Sequence, residues 1–167
     1  MLKVHFIHGL ESSPSSRKAQ VLAAHFDAET PAMDTSDFAG CVALHEARIA
    51  ARKPDVLIGS SFGGAVALAL LQSGAWRGPT LLLAQAGLHY GLEPHIPEGI
   101  AVLLVHALGD DVVPVEDSRK IAQINTSARL LEIEDDHALS GAVAEGKLVE
   151  WVRMVAGALA GGPERWN

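Results

Sequence analysis

The sequence predicts an α/β protein, a doubly wound and mostly parallel sheet of about six strands with helices on both faces. Three observations carry this. Strand-like and helix-like segments alternate about six times along the 167 residues. The runs Asp55-Val56-Leu57-Ile58 and Thr80-Leu81-Leu82-Leu83-Ala84 are apolar without alternation, as parallel strands covered on both faces must be. Four strand ends then carry polar residues: His8-Gly9-Leu10, Ser60-Ser61-Phe62, Gly109-Asp110-Asp111 and Asp136-His137. In such sheets ligands bind at the carboxyl ends of the strands.

The elements follow in order. Val4-His5-Phe6-Ile7 reads as a strand, and His8 to Pro14 as a polar turn. A helix begins at about Ser16, capped by Ser15 or Ser16, with Val21, Leu22 and Phe26 on one face. Ala28-Glu29-Thr30-Pro31-Ala32-Met33 is expected as a short edge strand, because a central strand would not tolerate its proline. A second helix from about Asp37 carries Cys41, Leu44, His45 and Ile49 at helical spacing, and Pro54 closes it. The strand at residues 55–58 leads through a glycine-rich turn into a helix of small apolar residues that ends near Ser73-Gly74. After the strand at 80–84 comes a connection, residues 85–99, punctuated by Pro94 and Pro97. Ile100 to Val105 forms the next strand, residues 116–124 a helix and residues 129–133 the last strand. One final helix places Leu148, Trp151, Val152, Val155 and Leu159 on a single stripe, and Gly161-Gly162-Pro163 stops it.

Composition sets outer limits. The length fits one domain over residues 1–160, followed by a tail at 161–167. No apolar run is long enough for a membrane span. With 13 basic and 20 acidic residues the net charge is −7, and no Lys/Arg cluster stands out, so nucleic acid and membrane are not expected partners. The single cysteine, Cys41, cannot form an intramolecular disulfide or begin a structural zinc site, and is expected as a small buried apolar residue. Met1-Leu2-Lys3-Val4 runs straight into a strand without the pattern of a signal peptide, so a cytoplasmic location is expected.

The chemistry centres on Gly59-Ser60-Ser61-Phe62-Gly63 between a strand and a helix. Such a turn is too tight for a Cβ two residues before or after the serine, which is why both positions are glycine, and it projects the serine Oγ from the sheet edge. A serine hydroxyl needs a base to take its proton, and the base needs an acid to hold its tautomer. Ser61, His137 and Asp110 can fill these roles, in the chain order Ser, Asp, His.

The opening segment Phe6-Ile7-His8-Gly9-Leu10-Glu11-Ser12-Ser13-Pro14-Ser15, the elbow, the stretch from His106 to Pro114 and His137 together resemble the α/β-hydrolase superfamily, and within it the small YqiA-like esterases. The resemblance implies a minimal α/β-hydrolase sandwich and a serine hydrolase that cleaves small-molecule carboxylic esters through an acyl-enzyme, with thioesters and amides also open to the same chemistry. Neither a cofactor nor a metal is implied. Asp110 stands four residues before Pro114, the place of the family's acid in a D-x-x-V-P turn, while Ala107 replaces the usual glycine after the histidine and leaves Asp111 as the alternative acid. By position, the backbone N–H groups of Leu10 and Phe62 would form the oxyanion hole.

Larger relatives commonly insert a helical cap where this chain has the fifteen residues 85–99, too few for several helices. A shallow site is therefore expected, with Leu88 and Tyr90 as substrate-binding residues and Leu92 and Ile96 completing an apolar wall. His89 and His95 on the same connection could touch substrate, His8 is read as structural, and His5, His25 and His45 as packing or surface residues. His106, Asp110 and Asp111 lack convincing metal-ligand spacing. Two other functions compete: a catalytically silent module of the same fold that binds a ligand or protein, and a nucleotide-binding domain, which would lack both G-x-G-x-x-G and G-x-x-x-x-G-K-[ST].

Overall fold

Three central strands are apolar and buried at nearly every position because helices cover both faces of the sheet: β3 (Val56–Ser60), β4 (Thr80–Leu83) and β5 (Val102–Ala107). The computed structural model describes residues 1–158; the tail expected at 161–167, and Leu159 of the last apolar stripe, lie outside them. With β1 (Lys3–Ile7), β2 (Asp27–Glu29) and β6 (Ala128–Ile133) the strands form one six-stranded sheet in the order β2-β1-β3-β4-β5-β6. Every pairing in it is parallel, so the expectation of a mostly parallel sheet becomes an all-parallel one. The chain moves from β1 outward to β2, then crosses back over β1 to β3. The carboxyl ends of β1 and β3 therefore flank the point where the winding reverses, the crevice in which open α/β sheets bind ligands.

Two apolar layers sandwich the sheet. On one face α1 (Arg17–His25), α5 (Ser140–Ala144) and α6 (Lys147–Gly157) supply Leu22, Val143, Trp151 and Val152. On the other, α2 (Phe38–Arg52), α3 (Phe62–Ser73) and α4 (Val115–Ile124) supply Ile49, Val66, Leu70 and Ile121. The caps are local. Ser16 accepts from the N–H of Ala19, Asp37 accepts from Gly40, and α3 ends on Gly74 at φ 79°, in the left-handed region that glycine enters without strain.

Four details differ from the sequence reading. The edge strand starts earlier and is shorter, because Asp27 already pairs with Lys3, and Pro31 falls outside it. On α2 the buried stripe is Cys41, His45 and Ile49 at intervals of four, which turns Leu44 outward to 36% exposure. The expected single last helix is two, α5 and α6, separated at Gly146, whose φ of 81° lies outside the helical region. Finally, Ile96 is 2% exposed and belongs to the core on the α3 face, not to a wall open to solvent.

The histidines read as packing residues form a linked pair. His5 on β1 and His45 on α2 are fully buried, with His5 Nε2 2.8 Å from His45 Nδ1 and His45 Nε2 3.2 Å from Met33 Sδ. Sulfur can only accept here, so His45 donates to Met33 and accepts from His5. That leaves His5 Nδ1 a lone pair without a hydrogen-bond partner, 3.7 Å from Glu29 Oε2. Burial first, then His45 and the charges of Arg52 and Arg48, pushes the His5 pKa down to about 3. Burial, then His8, pushes that of His45 down to about 4.

Candidate active site

Ser61 sits between the last residue of β3 and the first of α3 with φ 55° and ψ −113°, a conformation rare for a residue with a side chain. The backbone is held in it from three directions. Its N–H donates to Leu83 O at 2.9 Å, and its carbonyl accepts from Ala65 and Ala86 at 3.1 Å each. The flanking glycines are sterically required: a Cβ on Gly59 would lie 2.3 Å from Gly63 O, and one on Gly63 would lie 1.9 Å from Ile7 O. Gly64 adds a third close approach, since a Cβ there would stand 2.7 Å from that of Gln85. Ser60, by contrast, closes β3 and is buried.

The strand ends converge on this serine. His137 Nε2 lies 3.0 Å from Ser61 Oγ, and His137 Nδ1 lies 2.7 Å from Asp110 Oδ2. An ionised carboxylate only accepts, so His137 donates from Nδ1 and its Nε2 lone pair receives the Ser61 hydroxyl. Asp110 Oδ1 accepts two backbone N–H groups, from Val112 at 2.9 Å and Val113 at 2.8 Å. Burial alone would raise the Asp110 carboxyl, but the hydrogen bond from His137, those from Val113 and Val112 and the charge of His137 together hold it below the ordinary carboxylate value. Asp111, the alternative acid, is exposed, and the bond to His137 is made by Asp110.

His137 is aimed by carboxylates within its own loop. Asp135 accepts from the N–H groups of Gly141 and Ala142, and Asp136 Oδ1 accepts from that of Ser140 at 2.9 Å, so the loop is tied to the start of α5. The Ser140 N–H and hydroxyl hold the Asp136 carboxyl below its usual value. Leu139, at φ 56°, is almost completely buried, and its packing against the core holds this unfavourable backbone.

The loop after β1 covers the serine from the other side. A Cβ on Gly9 would lie 3.4 Å from Ser60 O and 3.5 Å from Ser61 Cβ, so the chain passes close beside the elbow just before Leu10. The N–H of Phe62, first in α3, has no intrahelical acceptor. His8 is buried and donates from Nδ1 to Gly9 O at 2.8 Å, which fits a structural role in this loop.

Of the residues expected to bind substrate, Tyr90 lies beside the elbow, and both Tyr90 and Leu88 are half-buried. Tyr90 ends a 3₁₀ turn, Leu88–Tyr90, stacks on Phe38 at 5.3 Å between ring centroids and meets Phe62 edge-on at 5.2 Å. Phe38 and Tyr90 also pack against Ala65, Ala86 and Val113. Since Ala86 bonds the Ser61 carbonyl and Val113 bonds Asp110, this apolar cluster adjoins both. Leu88 packs against the core of the α3 face, and His89 and His95 are exposed. The sequence reading missed Phe38 and Val113. The available signal was topological: a helix that follows a parallel strand starts at the strand's carboxyl edge, and Phe38 is the first residue after the Asp37 cap.

Three exposed apolar side chains lie on the loops after β1 and β5, Leu10 at 51%, Leu108 at 47% and Val112 at 64%. Among the described residues no group of three or more His, Cys, Asp and Glu side chains is placed to hold a metal ion. No helix among them is long and apolar enough to cross a membrane.

A family model described as an uncharacterised protein family, UPF0227, matches residues 3–77. No curated protein matches the chain. Solved structures match it nearly end to end. A protein of the alpha/beta hydrolase superfamily from Xanthomonas campestris pv. campestris is 24% identical, with a TM-score of 0.76 over 91% of this chain and 97% of its own. The meta-cleavage product hydrolase of Pseudomonas fluorescens IP01 is 13% identical, with a TM-score of 0.74 over 92% and 90%. Est1E from Butyrivibrio proteoclasticus is 15% identical, with a TM-score of 0.72 over 91% and 87%. The chain therefore has the α/β-hydrolase fold, and at these identities the likeness speaks for the fold alone.

Proposed function

We propose that this chain is a serine hydrolase that cleaves small carboxylic esters through an acyl-enzyme, of the kind found in the small YqiA-like esterases. The observation that carries the proposal is the continuous Ser61, His137, Asp110 hydrogen-bond chain at 3.0 and 2.7 Å, built on an elbow whose backbone strain serves no evident packing purpose. Ser61 Oγ attacks the ester carbonyl while His137 Nε2 takes its proton, and Asp110 stabilises the imidazolium that results. The tetrahedral oxyanion accepts hydrogen bonds from the N–H groups of Leu10 and Phe62. His137 then returns the proton to the departing alcohol, and a water molecule repeats both steps to release the acid. Thioesters satisfy the same chemistry.

The acyl side of the substrate rests against Phe38, Tyr90 and Val113, and the exposed Leu10, Leu108 and Val112 meet whatever projects beyond it. The test is covalent. A fluorophosphonate should label the protein at Ser61, Ser61→Ala should abolish both labelling and p-nitrophenyl acetate hydrolysis, and Ser60→Ala should keep most of each. A folded protein that takes no label and turns over no ester would be a silent binding module instead.

A further inference from the structure

Asp110 is approached by a second histidine. His106, on β5, is wholly buried; its Nε2 lies 2.8 Å from Val113 O and 3.3 Å from Asp110 Oδ2, and its Nδ1 lies 2.7 Å from Ser118 Oγ on α4. Ser118 Oγ in turn is 3.1 Å from Nε2 of Gln85, whose Oε1 accepts the N–H of Gly87 at 2.8 Å. Gln85 and Ser118 are buried as well, so none of these groups exchanges its partner for water.

The chain of donors and acceptors runs one way. The Gly87 N–H can only donate, which turns the Gln85 oxygen toward it and the Gln85 NH₂ toward Ser118. Ser118 accepts from Gln85, and because Val113 O takes the proton of His106 Nε2, the Ser118 hydroxyl gives its hydrogen to the lone pair on His106 Nδ1. His106 carries its proton on Nε2, facing Val113 O and Asp110 Oδ2, both of which only accept. In the other tautomer a lone pair would stand against these two oxygens.

We propose that His106 is a positioning residue for Asp110, kept in its Nε2–H tautomer by Ser118 and Gln85; the proposal rests on the Ser61, His137, Asp110 reading. It acts in two ways. By holding Val113 O it anchors the residue whose N–H, on the peptide unit before that carbonyl, grips Asp110 Oδ1 three residues from the carboxylate's own backbone. By placing the positive end of an N–H dipole beside Oδ2, it shares the oxygen to which His137 donates, and so moderates how strongly Asp110 favours the His137 imidazolium.

The consequences separate positioning from packing. The amide nitrogen of a glutamine at this position reaches the place of Nε2 and keeps the donor, whereas leucine and asparagine leave that place without one. His106→Leu and His106→Asn should therefore lower kcat on p-nitrophenyl acetate by about 10- to 100-fold with KM nearly unchanged. They should also move the acid limb of kcat/KM to higher pH by about half a unit or more, because Asp110 then bears more fully on His137. His106→Gln should keep the limb where it is. The low-field proton resonance of His137 Nδ1–H should shift in the leucine and asparagine variants and stay near its original position in the glutamine variant. If the leucine variant does not fold, Ser118→Ala and Ser118→Thr carry the comparison: alanine should lower kcat, and threonine, which keeps the hydroxyl, should restore it. Leucine and glutamine variants with the same acid limb and the same proton resonance would reduce His106 to a packing residue. Should the wild-type protein neither hydrolyse ester nor take fluorophosphonate at Ser61, the hydrolase reading falls, and the His137 resonance still decides whether His106 orients Asp110.

Discussion

A methyl group on Gly63 would stand 1.9 Å from Ile7 O, whereas one on Gly9 would meet nothing closer than 3.4 Å. Only the first of these glycines is imposed by space, and such constraints are readable from a sequence because they concern a few adjacent residues. The acid of the proposed triad is harder to read from sequence, since Asp110 and Asp111 are neighbours of the same type. Position before a proline pointed to Asp110, and the fold supplies a physical reason: two N–H groups two and three residues onward converge on Oδ1 and turn its other oxygen toward His137. Asp110→Asn keeps that shape but favours the wrong imidazole tautomer, a change that in a serine protease costs about 10⁴ in turnover. Under the proposed function, kcat for Asp110→Asn should fall by a similar factor while Asp111→Asn stays within about threefold of wild type; steady-state hydrolysis of a p-nitrophenyl ester checks both. His106 could be noticed in the sequence but its part could not, because its partners Ser118 and Gln85 come from different elements and meet only after folding.

At the level of elements, the pair β1 and α2 carries a cost that shows only in acid. His5 and His45 are neutral in the folded protein, with pKa values pushed down to about 3 and about 4, while in the unfolded chain each titrates near 6.5. The unfolded state thus binds more protons below about pH 6.5, so the stability contribution of the neutral pair is complete above that pH and is lost as pH falls toward the folded values. The slope is at most about 1.4 kcal/mol per pH unit for each histidine. The urea midpoint should fall between pH 6.5 and 4.5, and His45→Phe should flatten that dependence; an unchanged slope would assign the acid sensitivity to other groups. The elements themselves were largely legible. Parallel strands read as continuous apolar runs, and helix starts were marked by Ser16 and Asp37. The break at Gly146 was not, since an isolated glycine just before an apolar stripe reads equally well as a tolerated residue within one helix.

The whole molecule reserves little room above its site. The connection expected to hold no cap contains a single 3₁₀ turn, and its Tyr90 lies flat against Phe38 to form an apolar wall beside the elbow. An acyl chain gains from this wall only over its first few carbons, and each methylene beyond it remains in water. Across a p-nitrophenyl ester series, kcat/KM should rise from acetate toward butyrate or hexanoate and then level off at about six carbons. A rate climbing steadily to twelve or sixteen carbons would require a tunnel. The same plan has a consequence for how activity is lost. Ser61 and His137 are 76 residues apart, and His137 follows the outermost strand, β6, which pairs with β5 alone and is half-buried where β5 is fully covered. Were that edge to open before the rest of the sheet, it would carry His137 away while the elbow stays intact. Under the proposed function, esterase activity should be lost at lower urea than the far-UV circular dichroism signal, and coincident midpoints would show that this edge opens only with the core.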